Sequence, residues 1–174
     1  MADLNGKRIA IIATNRFEDS ELTSPKEAVE AAGATTHVIS TEPGEIEGKN
    51  GTKVTVDVTS ADAKADDYDA LILPGGTSNA DTIRTDANAV ELVKKLREAG
   101  KPVGVICHGG WILTDADVIK GVKLTSFKSL QTDLRNAGAT WVDEEVVVDS
   151  GFVSSRTPKD LPAFNNAIVK EFAG

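Results

Sequence analysis

One cysteine and two histidines are all that this 174-residue chain holds of the side chains that most readily form cross-links or bind soft metals. A lone Cys107 closes no internal disulfide, and one Cys with two His falls short of the four ligands a structural zinc site needs. The acids show no EF-hand spacing. A carboxylate-only metal site stays open on these grounds, but none is expected. No apolar run approaches the ~20 residues that span a bilayer. The opening MADLNGKRIAII lacks a basic segment followed by a long apolar stretch and a cleavage site. Without disulfide pairing the expected location is cytoplasmic. Basic clusters are missing too. Acids outnumber bases 27 to 19, for a net charge of −8. The most basic stretch, VKKLREAGK, has the spacing of a solvated helix face. Phosphate backbones attract basic patches, so neither nucleic acid nor an anionic membrane is an expected partner. GxGxxG is absent, and no Gly-Lys-Ser/Thr follows the glycines of LPGG, so no nucleotide cofactor is expected.

What is present is a globular composition, 40% hydrophobic and 26% charged, of a length that suits one domain over 1–174. KRIAIIAT (7–14), ATTHVIST (34–41), YDALILPGG (68–76) and PVGVIC (102–107) read as buried strands. ELTSPKEAVEAAG reads as a helix with Pro25 in its first turn and Gly33 at its C-terminal cap. DANAVELVKKLREAGK (86–101) carries Ala89, Val90, Val93 and Leu96 at helical spacing and stops at Gly100. EPGEIEGKNGTKVTVD reads as a small hairpin turning at Asn50-Gly51. HGGWILTDAD opens as a short helix, SLQTDLRNAG as another, and EEVVVDSGFVSSR as a hairpin around 149–151. TPKDLPAFNNAIVKEFAG closes as a helix with an apolar stripe of Leu161, Phe164, Ile168 and Phe172. Strand–helix alternation predicts an α/β fold, a mostly parallel sheet with helices on both faces.

In such sheets, sites form beyond the carboxyl ends of the strands. Three loops leave those ends: TNRFEDSEL, PGGTSNAD and CHGG. Cys107 sits where a strand turns into a helix, and the partial positive charge of a helix start favours a thiolate. The turn resembles a nucleophile elbow, which wants small residues two before and two after the nucleophile. Gly109 fits and Val105 does not. Free cysteines are also often simply buried and inert. His108 is either a general acid–base or a second-rank imidazole, since adjacent side chains on extended backbone point apart. His37 lies within a strand and reads as structural. Glu18, Asp19 and Glu21 crowd the first loop, where acids suit a helix start. One of them reaching the Cys107 sulfur coexists with it cheaply only by keeping its proton. Gly75, Gly76 and Gly109 let backbone N–H groups approach as oxyanion donors, as does the N–H of His108.

FEDSELTSP (17–25), DALILPGG (69–76), VGVICHGG (103–110), NAGATWVDEEVVVD (136–149) and SSRTPKDLPAFN (154–165) together resemble the PfpI family. That family holds intracellular peptidases and general stress proteins. It falls within the superfamily of the parkinsonism-associated protein deglycase and the class I glutamine-amidotransferase-like fold. The resemblance runs over nearly the whole chain. It implies a flavodoxin-like sandwich, Cys107 as nucleophile at a strained elbow, and Glu21 as the protonated partner of its sulfur. It implies that His108 matches the histidine of the peptidase branch, where a carboxylate from a neighbouring subunit completes a triad. The nearest acid after the paired glycines is Asp81. Two departures stand out. Gly110 and Trp111 follow Gly109 where the family usually has Cys-His-Gly-Pro, and no histidine lies downstream of His108. The missing His-x-Glu argues against glutamine hydrolysis.

The expected function is that of a cofactor-independent, cysteine-dependent glyoxalase or deglycase acting on methylglyoxal, glyoxal or their protein adducts. Its partners would be a small dicarbonyl or a glycated protein, and further copies of itself in a dimer or hexamer. The competing readings are a cysteine peptidase completed across a subunit interface, and a redox sensor or chaperone that oxidises Cys107 without turnover.

Overall fold

The computed structural model describes residues 2–174. Its centre is a seven-stranded sheet built from β1 (Arg8–Ile12), β2 (Thr35–Ser40), β5 (Val58–Thr59), β6 (Ala70–Leu73), β7 (Val103–Ile106), β10 (Val147–Asp149) and β11 (Phe152–Ser155). The strand order is β10-β11-β7-β6-β1-β2-β5. Every neighbouring pair is parallel except the β10–β11 hairpin. β6 and β7 are buried along their whole length, as their unbroken apolar runs predict for strands covered on both faces.

Alternating side chains divide the sheet between two cores. Ile9, Ile11, Ile72 and Val153 pack with Leu22 and Val29 of α1 (Asp19–Ala31) and with Phe164, Ile168 and Phe172 of α6 (Leu161–Ala173). Ala10, Ile12, Leu71, Leu73, Val103 and Val105 pack with Leu92, Val93 and Leu96 of α3 (Ala87–Glu98) and with Ile112 and Leu113 of α4 (Trp111–Ala116). The same core takes Ile83 of α2 (Thr77–Ile83) and Leu134 of α5 (Gln131–Asn136). β3 (Gly44–Glu47) and β4 (Lys53–Val56) form the expected antiparallel hairpin beside the sheet. A second ribbon pairs β8 (Lys123–Leu124) in parallel with β9 (Thr140–Trp141).

Two expectations need correction. The first helix begins at Asp19, so Pro25 lies within it and is buried, not in its first turn. The segment after Gly76 is a helix, not a loop, so PGGTSNAD passes into α2 within three residues. The start of α3 is as its sequence predicts. Asp86 caps it by accepting the N–H groups of Asn88 and Ala89 at 3.0 and 3.2 Å, the usual way an N-cap carboxylate satisfies free donors.

Candidate active site

The parallel strands β1, β6 and β7 lie side by side and deliver their carboxyl ends to one edge of the sheet. Cys107 follows β7 directly, buried and at φ +61. A non-glycine residue in the left-handed region costs about 1–2 kcal/mol. Here the turn holds because the Cys107 carbonyl accepts the N–H of Phe127 at 3.1 Å. Gly109 passes so close to the Leu73 and Pro74 carbonyls that a side chain there would collide with them. Gly110 has φ −72, a value proline itself would take. The turn therefore keeps its shape without the family's usual proline.

Glu21, in the first turn of α1, is fully buried beside the thiol. Its Oε1 accepts the N–H of Gly75 at 2.9 Å, and no hydrogen bond of good geometry reaches Oε2. Burial, reinforced by the nearby charge of Glu18, pushes the Glu21 carboxyl up to about 8. The Gly75 N–H, the thiol and Lys49 pull the other way without prevailing. At neutral pH the acid holds its proton, as the crowding of carboxylate and sulfur requires.

The thiol itself departs from expectation. A helix start was expected to favour the thiolate. Burial instead pushes the Cys107 thiol up, and Glu21 adds to the shift. The N–H of His108 opposes this and is outweighed. The helix that follows, α4, has only six residues and is reached through a 3-10 turn over Cys107–Gly110, so little dipole gathers there. The two groups act as one coupled pair, in which ionising either resists ionising the other.

His108 comes closer than an extended backbone would allow, because the left-handed turn swings it round. Its Nδ1 lies 3.3 Å from Cys107 Sγ. Burial, and then the charge of Lys49, lowers its pKa, so the surroundings favour the neutral imidazole. Its Nε2 lies 3.4 Å from both Thr77 Oγ1 and Ser129 Oγ. The ring stacks on Phe127 at 4.6 Å and meets the edge of Trp111 at 5.6 Å. Trp111 is thus a wall of the histidine site, pinned by its Nε1 donating to Asp133 at 2.8 Å.

The glycines take different parts. The N–H of Gly75 is already donated to Glu21, so Gly75 seats the acid and its expected role as oxyanion donor is corrected. A Cβ on Gly75 would also press 2.9 Å from that of Cys107. The N–H of Gly76 has no acceptor among the described residues. Asp81 lies on α2, exposed, and makes no hydrogen bond or ion pair among the described residues. It is not among the groups gathered around the sulfur. His37 is structural as expected, its Nδ1 2.9 Å from Tyr68 Oη. Among the described residues no three His, Cys, Asp or Glu side chains are grouped to hold a metal.

Sequence reasoning missed the residues that hold this geometry. Buried Asn79 donates to the carbonyls of Gly75 at 2.9 Å and Pro74 at 3.2 Å, and its Oδ1 accepts the N–H of Thr14 at 2.7 Å. One amide thereby ties the loop after β1 to the loop after β6. Asn79→Ala is expected to cost about 2–4 kcal/mol, because it leaves buried polar groups unpaired. Urea unfolding checks this; a loss below 1 kcal/mol would remove Asn79 from that role. Lys49, on the β3–β4 hairpin, pairs with Glu18 at 3.0 Å and brings a positive charge to the rim. Nothing in local pattern marks either residue, since their partners are distant in sequence.

The comparisons agree with this architecture. The family model described as DJ-1/PfpI matches residues 7–171. An uncharacterized protein of Staphylococcus haemolyticus is 51% identical over 168 residues, 95% of this chain and 97% of that one. The Bacillus subtilis protein named "Putative cysteine protease YraA" is 48% identical over 160 residues, 91% of this chain and 94% of that one. A two-domain protein from Anabaena variabilis, with DJ-1/ThiJ/PfpI-like and ferritin-like domains, superposes with a TM-score of 0.91 at 34% identity over 94% of this chain. This chain spans about half of that protein, 47% of its length. Drosophila melanogaster DJ-1beta shares the fold, with a TM-score of 0.89 at 24% identity over 97% of this chain and 91% of that one. A flavodoxin-like α/β fold, close relatives over nearly full length and a family match from 7 to 171 have one reading: the chain belongs to the DJ-1/PfpI family.

Proposed function

We propose that this protein is a cysteine-dependent, cofactor-independent glyoxalase or deglycase for small α-oxoaldehydes and their protein adducts. The observation that carries the reading is a buried carboxyl that keeps its proton at neutral pH beside a thiol. The reaction needs an acid of that kind, able to give a proton to oxygen and then take one from carbon.

On methylglyoxal, Cys107 Sγ adds to the aldehyde carbon. The thiol proton passes to His108 Nδ1, and Glu21 protonates the aldehyde oxygen to leave a hemithioacetal. The Glu21 carboxylate then removes the hydrogen from that carbon and returns it to the neighbouring carbonyl carbon. The hydroxyl proton crosses to the neighbouring oxygen. One carbon is oxidised as the other is reduced, and the product is a lactoyl thioester. Water cleaves it to lactic acid. One water proton restores Glu21, and His108 returns its proton to the departing sulfur. The N–H groups of Gly76 and His108 are the donors for negative charge on oxygen. On a protein adduct, Sγ instead displaces the side-chain amine or thiol from that carbon: the thiol proton passes to His108, Glu21 protonates the departing group, and the hemithioacetal left behind follows the same sequence.

Lactate formation from methylglyoxal by freshly reduced protein tests this, with Cys107→Ala as control. Turnover that vanishes in the variant is the expected result. Absence of turnover in the reduced wild type would sink the reading.

A peptidase is the second reading, favoured by the Sγ–Nδ1 distance of 3.3 Å and by the name of the Bacillus relative. It draws its third member from a neighbouring subunit, with exposed Asp81 as the candidate. Full peptide hydrolysis by a monomer, or by Asp81→Asn, would rule out that arrangement.

A further inference from the structure

Beside the catalytic histidine lies a second concavity that the proposed reaction does not use. It has a volume of about 440 Å³, and Phe127 and Trp141 are among its lining residues. Phe127 is shared, since its ring stacks on His108 at 4.6 Å. The cavity therefore begins one aromatic ring away from the imidazole.

Its aromatic lining is fixed. Trp141 Nε1 donates to Ser126 Oγ at 2.9 Å, and that hydroxyl donates to the Phe127 carbonyl at 2.8 Å. Phe127 is tied in turn to the Cys107 carbonyl through its own N–H. Rigid aromatic surface of this kind recognises flat or apolar groups at little entropic cost.

The charges lining it are uneven. Arg156 is spoken for: it grips both oxygens of Asp160 at 3.0 and 3.1 Å and reaches Asp143 at 2.9 Å. Lys128 and Lys159 also line the cavity, are exposed, and form no ion pair among the described residues. On a chain of net charge −8, a lining of Lys128, Lys159 and Arg156 against Asp143 and Asp160 carries a net +1, and the two lysines are its unpaired charges. The two unpaired ammonium groups offer an anion a local attraction on an otherwise acidic chain.

We propose that this cavity is a subsite for a substrate's carboxylate-bearing arm: the aromatic walls take a planar or apolar spacer, and Lys128 and Lys159 take the carboxylate. The inference rests on the proposed carbonyl chemistry for what sits at Cys107, and it narrows the substrate class. Preferred substrates are α-oxoaldehydes with an anionic end, ahead of neutral ones of equal size.

Two measurements test it, one of them independent of turnover. In the first, benzoate and benzylammonium are titrated into the Cys107→Ala protein and followed by ¹⁵N NMR. Benzoate is expected to move the Trp141 indole N–H and the amides of Lys128 and Lys159. Benzylammonium is expected to leave them in place, and Lys128→Glu/Lys159→Glu to abolish the benzoate response. Equal response to both ions, or none to benzoate, would overturn the subsite. In the second, kcat/KM for 4-carboxyphenylglyoxal is compared with that for phenylglyoxal. The preference for the carboxylate is expected to fall roughly tenfold in the double variant, about 1.4 kcal/mol, with phenylglyoxal turnover unchanged. A preference that survives the double variant would overturn the proposal. Benzoate binding without turnover of either glyoxal would keep the subsite and overturn the catalytic reading alone.

Discussion

Glu21→Gln is expected to make the protein more stable at pH 8, by about 4 kcal/mol relative to wild type, while cutting dicarbonyl turnover roughly 10²- to 10⁴-fold. The stability effect follows from linkage. The ordinary value for this carboxyl is 4.5, and the folded protein holds its proton to about 8. Between those values the folded state binds more protons than the unfolded chain, so stability falls as pH rises. The contribution is complete below 4.5 and is lost as pH climbs through 8. Glutamine is nearly isosteric with the protonated acid, its Oε1 can still accept the Gly75 N–H, and it has no proton to lose. Unfolding free energies of the two proteins should coincide near pH 4.5 and diverge steadily toward pH 8. Parallel curves would mean that Glu21 ionises normally in the folded state, and the protonated-acid mechanism would fall with that result. The same substitution removes the group proposed to give and take the proton, so a more stable protein with far slower turnover is the combined signature. Wild-type turnover should fall as pH climbs through 8, because Glu21 then gives up the proton that the proposed addition step needs.

Gly76→Ala is expected to destabilise the fold by about 3–4 kcal/mol. Two causes combine. Gly76 has φ +91, where a side chain is strained whatever the space. A Cβ there would also lie 2.5 Å from the Arg16 carbonyl oxygen, 2.6 Å from the Glu18 nitrogen and 2.8 Å from the Phe17 carbonyl carbon. All three are backbone atoms, which cannot swing aside as a side chain can. Gly121→Ala separates the causes: Gly121 has φ +78 with nothing within 4 Å of its Cβ position, so only the conformational part, about 1 kcal/mol, applies. Matching losses for the two variants, measured by denaturant unfolding, would show that the loops after β1 and β6 are not in tight contact.

The central strands were readable because β1, β6 and β7 carry compact buried apolar runs, ALIL and VGVI leaving little alternative; β5 was not, being two half-buried residues with no such run. α6 was readable from its stripe, since Leu161, Phe164, Ile168 and Phe172 return every three or four residues and all are buried. α2 was not. It buries Asn79, Ala80 and Ile83, only one of them a large apolar side chain, and after two glycines TSNADTI has the composition of a loop. Pro25 misled because proline most often opens a helix, whereas here α1 starts at Asp19 and carries the ring inside. Cys107 and Glu21 stood out as chemistry at strand ends and within a family pattern. The state of the thiol was not legible. It depends on burial and on a carboxyl contributed by a distant helix, and neither leaves a trace in CHGG. Thr77, Ser129 and Asn79 were hidden for the same reason: each is an ordinary polar residue whose importance lies in what the fold sets opposite it.

The packing of α6 on α1 bears on how the protein is made. Asn165 Nδ2 donates to Ser24 Oγ at 2.8 Å across 141 residues of chain, and Phe164, Ile168 and Phe172 share a core with Leu22 and Val29. The helix that carries Glu21 is therefore completed by an element that follows every other strand and helix in chain order. During synthesis, Cys107 emerges well before that seat exists, and domains consolidate as their parts arrive. For that interval the nascent chain carries Cys107 without the packed helix pair that seats its acid.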